Sequence, residues 1–224
     1  MYSLPREIHR EILSWLEPET QQITRLTNRY FAGLIQPQDI NLLKFGAKRG
    51  LLEYCEIGLS RGNSKWRVCE TAAKHGHLEV LQWARNNRCS WNEWTCEIAA
   101  RHGHLEVLHW ARDNGCPWDE WTCARAAFGG HLEILKWARS QGCPWNEDTC
   151  SQAAAGGRLE VLQWARSQGC PWDSKTCSQA ASRGHLEILK WAITNGCRWN
   201  YRNADIFEFP QHIQEYAAAL QIRG

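Results

Sequence analysis

A segment of 27 residues repeats along this chain, and that limits the fold more than any residue count. The stretches GHLEVLQWARNNRCSW, GHLEVLHWARDNGCPW, GHLEILKWARSQGCPW, GRLEVLQWARSQGCPW and GHLEILKWAITNGCRW recur in register. One column reads His77, His104, His131, Arg158, His185; others read Trp83 to Trp191 and Trp91 to Trp199. Self-similarity at such a period marks a solenoid, in which each unit packs only on its neighbours. The pattern weakens upstream, around Leu43 to Gly50 and LLEYCEIGLSRG, and fades downstream after Ala204. About six units are therefore expected, atypical at each end because the end faces meet water.

Pro117 to Pro144 shows what one unit builds. Asp119 is a good N-cap, and its column, Asn92, Asp119, Asn146, Asp173, Asn200, holds only capping residues. Trp118 precedes the cap, where it can staple onto Cys123. A first helix is predicted from Glu120 to Phe128, stopping at Gly129-Gly130, where glycine can take the left-handed conformation. A second follows over HLEILKWARSQ and ends at Gly142. It is apolar around much of its girth (Leu132, Ile134, Leu135, Trp137, Ala138), as for a helix buried between neighbours. Helices this short do not persist alone in water. Packing of unit on unit must hold them, so losing one column Trp should cost about 3–5 kcal/mol.

The run Trp-Thr-Cys-x-x-Ala-Ala-x-x-Gly-His-Leu-Glu-x-Leu-x-x-Ala-x-x-x-Gly-Cys resembles the ankyrin repeat, over residues from about 40 to 205. The resemblance implies an all-α, ankyrin-like solenoid of helix-turn-helix units that binds proteins on its concave side. It also implies a histidine column that hydrogen-bonds backbone between neighbouring units. The unit is shorter than the usual ankyrin length of about 33 residues. The shortfall lies between Gly142 and Thr149, where ankyrin repeats carry a β-turn finger. This shortened form, with its Cys-Pro-Trp, looks like repeats of giant DNA viruses and some protists.

Residues 1–38 stand outside the repeat, which occupies 39–224. Leu4, Pro5, Ile8, Ile12, Leu13 and Leu16, followed by Leu26, Tyr30, Phe31 and Leu34, resemble an F-box. That implies docking to a Skp-type adaptor and a cullin. The other reading of the same spacing is a helical cap on the first unit.

The 11 cysteines invite a zinc reading. Structural zinc sites use pairs about two to four residues apart, and none occurs here. Equivalent cysteines of adjacent units should lie about 8–10 Å apart, the helix-packing distance. That is too far for a disulfide, which needs Cα atoms within about 7 Å. Small buried hydrophobes are the expected role. Every His-Cys neighbourhood recurs five times, which marks scaffold; no nucleophile–base cluster and no phosphate loop stands out. No catalytic residue, metal or cofactor is expected.

Composition narrows the partners. A net charge of +2 argues against nucleic acid. No apolar run approaches the ~18 residues of a membrane span, and the N-terminus lacks a secretory apolar region. An odd number of cysteines then fits reduced thiols in cytosol or nucleus.

Recognition should reside where the repeats disagree. The position before Thr reads Trp94, Trp121, Asp148, Lys175, Arg202, and the pair after Ala-Ala includes Arg101, Phe128 and Arg183. Another varying column is Ile98, Arg125, Gln152, Gln179. Exposed Trp and Arg are typical interface anchors, so Trp94, Trp121, Arg101, Arg125 and Phe128 form the expected patch, continued by Asp148, Lys175 and Arg183. The other reading is that Trp94 and Trp121 only extend the core. The leading expectation is a monomeric scaffold that selects a target protein for a cullin-type ubiquitin ligase. The alternatives are a sequestering binding protein with no ligase link and, less favoured, a redox- or metal-responsive thiol protein.

Overall fold

Two breaks per unit, marked by glycine except at Arg88, cut the chain into short helices. The computed structural model describes residues 41–65, 67–199 and 209–222. Among them, thirteen helices and no strand occur. They form six pairs: α1 (Leu42–Arg49) with α2 (Leu52–Ser60), α3 (Val68–His75) with α4 (Leu78–Asn86), and α5 (Glu93–His102) with α6 (Leu105–Asp113). Then come α7 (Glu120–Gly129) with α8 (Leu132–Ser140), α9 (Glu147–Ala155) with α10 (Leu159–Ser167), and α11 (Ser174–Ser182) with α12 (Leu186–Thr194). A last helix, α13 (Gln211–Ile222), closes the described chain. Its Ile213 and Ala217 are fully buried in the core shared by the other units.

The predicted boundaries hold within a residue. α7 runs one residue past Phe128, because Gly129 stays helical and Gly130 takes the left-handed turn at φ +85°. There the His131 amide donates to the Ala126 carbonyl, and the Gly130 amide to Ala127 at 3.1 Å. Those bonds satisfy carbonyls that the helix end would otherwise leave open. A side chain at Gly130 would also meet the Arg158 side chain at 2.7 Å. The caps divide: Asp119, Asn146 and Asp173 each accept from the amide two residues on, whereas Asn92 makes no such bond.

Curvature follows from side-chain size. The first helices of successive units pack closely on one another, while the second helices touch far less. Ala126, Ala127, Ala153 and Ala154 let the first helices approach. At Gly156 a Cβ would lie 2.2 Å from the Phe128 carbonyl. The second helices are held apart by tryptophans, so the stack bends with its first helices inside. The second helices form the outer layer instead of a fully buried one. Ile134, Leu135 and Ala138 of α8 are buried, but Glu133, Lys136 and Ser140 face water.

Three side-chain ladders tie unit to unit. His77, His104, His131 and His185 each direct Nε2 at a carbonyl near the end of the preceding unit's first helix, at 3.0–3.3 Å. A carbonyl only accepts, so the proton sits on Nε2. Arg158 substitutes by donating Nε to the Phe128 carbonyl at 3.2 Å. In the second ladder the Cys116, Cys143, Cys170 and Cys197 thiols donate to the carbonyls of Asn92, Asp119, Asn146 and Asp173, at 3.3–3.5 Å. The third ladder is built on the tryptophan before each cap. The Trp118 ring lies under the Arg112 guanidinium, 4.0 Å away, and edge-on to Trp137, with centroids 5.8 Å apart. Arg85, Arg139 and Arg166 repeat the arrangement over Trp91, Trp145 and Trp172. Each of these arginines also donates to the carbonyl of the cysteine four residues on.

All eleven cysteines are free and buried. The close approach is between columns: the Cys69 thiol lies 3.8 Å from the Cys89 carbonyl, and the Cys177 thiol 3.8 Å from that of Cys197. Among the described residues, no three His, Cys, Asp or Glu side chains converge as metal ligands. No helix there is long and apolar enough to cross a membrane.

Candidate binding face

The inner surface is built from the first helices, and its varying positions stand one above another. Trp94 and Trp121 hold the second position of α5 and α7, Asp148 and Lys175 that of α9 and α11. Trp94 is 53% exposed, so it does not extend the core. Trp121 is half-buried, with the Arg125 guanidinium 5.1 Å from its ring centre. Arg101 lies 4.8 Å over Phe128 of the next unit.

Between α3, α5 and α7 this surface opens into a cleft of about 360 Å³ lined by Lys74, Trp94, Glu97, Ile98, Arg101, His102 and Arg125. It thus collects three of the expected anchors, Trp94, Arg101 and Arg125, with Trp121 and Phe128 stacked on the two arginines. Asp148 and Lys175 sit farther along, joined at 3.6 Å. Arg183 is exposed just beyond the end of α11 and does not line the cleft. Arg202 and the F-box-like positions Leu4, Pro5, Ile8, Ile12, Leu13 and Leu16 lie outside the described residues.

Sequence reasoning missed Glu97. Its carboxylate is nearly buried and sits 3.8 Å from the Arg125 Nε. Burial raises its pKa above the ordinary value, aided by nearby Asp119 and opposed by Arg125. The signal was present in the column Glu97, Ala124, Ser151, Ser178, which varies as strongly as those that were chosen. His102 was also passed over; its Nδ1 donates to the Ile98 carbonyl at 3.0 Å, which turns its other nitrogen into an acceptor.

Residues 69–110 and 96–139 match the family model described as ankyrin repeats (many copies). Over those residues the chain is similar to ankyrin repeats. The fold is also similar to that of a solved structure, the crystal structure of the human ASB11 ankyrin repeat domain. The TM-score is 0.57 over 85% of this chain and 98% of that one, at 13% sequence identity, a likeness of fold. No curated protein matches the sequence. The connections between units contain no strand among the described residues, in keeping with the shortened finger. What replaces the finger is a tight loop, held by the Arg–Trp stack on one side and the cysteine thiol on the other.

Proposed function

We propose that this chain is a protein–protein interaction scaffold that grips a target on its inner face. One observation carries the reading. Positions constant from unit to unit are core residues such as Leu135 and Ala138 or ladder residues, whereas the differing positions of the first helices, Trp94, Ile98, Arg101 and Arg125 among them, gather around a cleft. Exposed tryptophan flanked by arginines is the composition of an interface anchor.

The finer reading makes the scaffold a substrate-selecting adaptor, acting as a monomer, with residues 1–38 docking a Skp-type adaptor and a cullin. The resemblance of Leu4, Pro5, Ile8, Ile12, Leu13 and Leu16 to an F-box supports it. Eleven free, buried thiols support a reducing compartment, cytosol or nucleus. The short Cys-Pro-Trp repeats, similar to those of giant DNA viruses and protists, point to a target in a host cell. A pull-down on an immobilised Skp-type adaptor with cullin tests the finer reading, comparing the parent chain with a Leu4→Ala/Pro5→Ala/Ile8→Ala variant. Retention of the parent and loss of the folded variant are expected. If the parent is not retained, the ligase link fails and a target-sequestering scaffold is left.

A further inference from the structure

The inner face is not uniformly charged. Around the α3–α5–α7 cleft stand Lys74, Arg101 and Arg125 against the single carboxylate of Glu97. Glu97 already faces Arg125. Among the described residues, neither Lys74 nor Arg101 has a carboxylate within ion-pair distance, and both side chains are exposed. Farther along the same face the charge thins: Lys175 is matched by Asp148, the column of Arg125 continues as Gln152 and Gln179, and Arg183 stands past the end of α11. The positive field therefore runs from Lys48 at the end of α1 through Lys74 and Arg101 to Arg125, and is strongest around the cleft. Its other lining is apolar, the exposed Trp94 ring and Ile98.

We propose that this cleft binds an acidic segment of a partner protein. One apolar side chain of the segment seats against Trp94 and Ile98, and flanking carboxylates engage Lys74, Arg101 and Arg125. The proposal rests on the inner face being the protein-binding surface and adds the chemistry of what it takes. The volume of about 360 Å³ suits a large side chain with adjoining backbone. Arginine favours carboxylates because its planar fork matches them with two parallel hydrogen bonds. The Phe128 ring beneath Arg101 orients that fork without neutralising it. A nucleic acid fits less well. A phosphate backbone needs an unbroken basic track along the groove, whereas here the Glu97 carboxylate lies among the cations.

The test begins with a phage-displayed random-peptide library panned on the full chain. Recovered peptides, labelled with fluorescein, are then titrated by anisotropy against the parent, Arg101→Glu, Trp94→Ala and Lys136→Glu on the outer helix α8. The expected peptides carry net negative charge around an aromatic or aliphatic residue. Arg101→Glu and Trp94→Ala should each weaken binding at least about tenfold, while Lys136→Glu, an equal charge change on the other face, leaves it intact. Affinity should also fall as salt rises. Neutral or basic peptides that still depend on Trp94 overturn the acidic chemistry and leave the binding face standing. Peptides indifferent to both substitutions, or no peptides at all, overturn the cleft and the binding face together. A fluorescein-labelled single-stranded oligonucleotide that binds more tightly than every acidic peptide also overturns the proposal. The substituted side chains are accessible, and the helical signal of each variant confirms folding before titration.

Discussion

Raising the pH should unfold this protein through its thiols. Cys55 and Cys69 are wholly buried, and burial pushes both from 9.0 up to about 12. A thiol whose folded pKa is raised contributes stability that is fully present below 9.0. That stability is lost as pH climbs towards 12, because the unfolded chain ionises while the folded chain does not. For these two residues together the loss amounts to about 3 kcal/mol at about pH 10 and about 5 kcal/mol at about pH 11. Against a total stability of about 5–15 kcal/mol for an ordinary domain, that is a large share from two side chains. The assay is urea unfolding, followed by helical signal, of the parent and a Cys55→Ala/Cys69→Ala variant, with reductant at about pH 8, 9 and 10. At pH 8 the variant is the less stable, because two sulfur atoms leave small cavities. By pH 10 the gap should shrink by about 3 kcal/mol, since alanine has nothing to ionise. A gap that does not change with pH, or native thiols that ionise near 9, would refute the reasoning.

Other perturbations separate the contributions further. Leu135→Ala removes a fully buried side chain from the middle of the core and should cost about 2–5 kcal/mol in chemical denaturation. Asp119→Ala deletes a cap bond to Trp121 and should cost about 1 kcal/mol, whereas Asn92→Ala, with no cap bond to lose, should cost clearly less; equal costs would contradict the capping geometry. Lowering the pH should also destabilise. Burial depresses the His131 and His75 pKa values below 6.5, so the unfolded chain takes up protons first and stability falls as pH drops below that value. His131→Gln should flatten part of that acid slope in a melting series; an unchanged slope would assign it elsewhere.

The repeat was legible because each element announces itself locally. Capping residues, glycine stops and an apolar stripe recur often enough to place the helices of the well-matched units within a residue or so, but not α13, which lies past the point where the pattern fades. The wider role of Trp118 was hidden because staple geometry considers one helix at a time. The indole also has partners across the loop in Arg112 and Trp137, which lie before and after it in sequence. The outer surface of α8 was hidden for a related reason: a count of apolar residues could not tell Trp137, half-buried at the flank, from Leu135 at the centre. His212 stands 27 residues after His185 and bonds the Gly184 carbonyl at 2.9 Å, yet it escaped notice because its neighbours no longer match. Only a ladder running between units, visible in three dimensions, gives that residue a role. The cleft was half legible. Variation between units pointed to Trp94, Arg101 and Arg125 and was as strong in the column of Glu97, but no linear pattern reports the burial of that carboxylate beside Arg125.

The stacked indoles also have an optical consequence. Trp91 with Trp110, Trp118 with Trp137, Trp145 with Trp164 and Trp172 with Trp191 lie 5.8–6.1 Å apart, inclined at 62–67°. Two identical chromophores at that range and tilt share their excitation, and each pair splits into a couplet of opposite-signed bands. Because the four pairs repeat one geometry, their couplets add instead of cancelling. The ultraviolet spectrum therefore counts intact junctions between units: opening one junction should remove about a quarter of the couplet while leaving most of the helical signal in place.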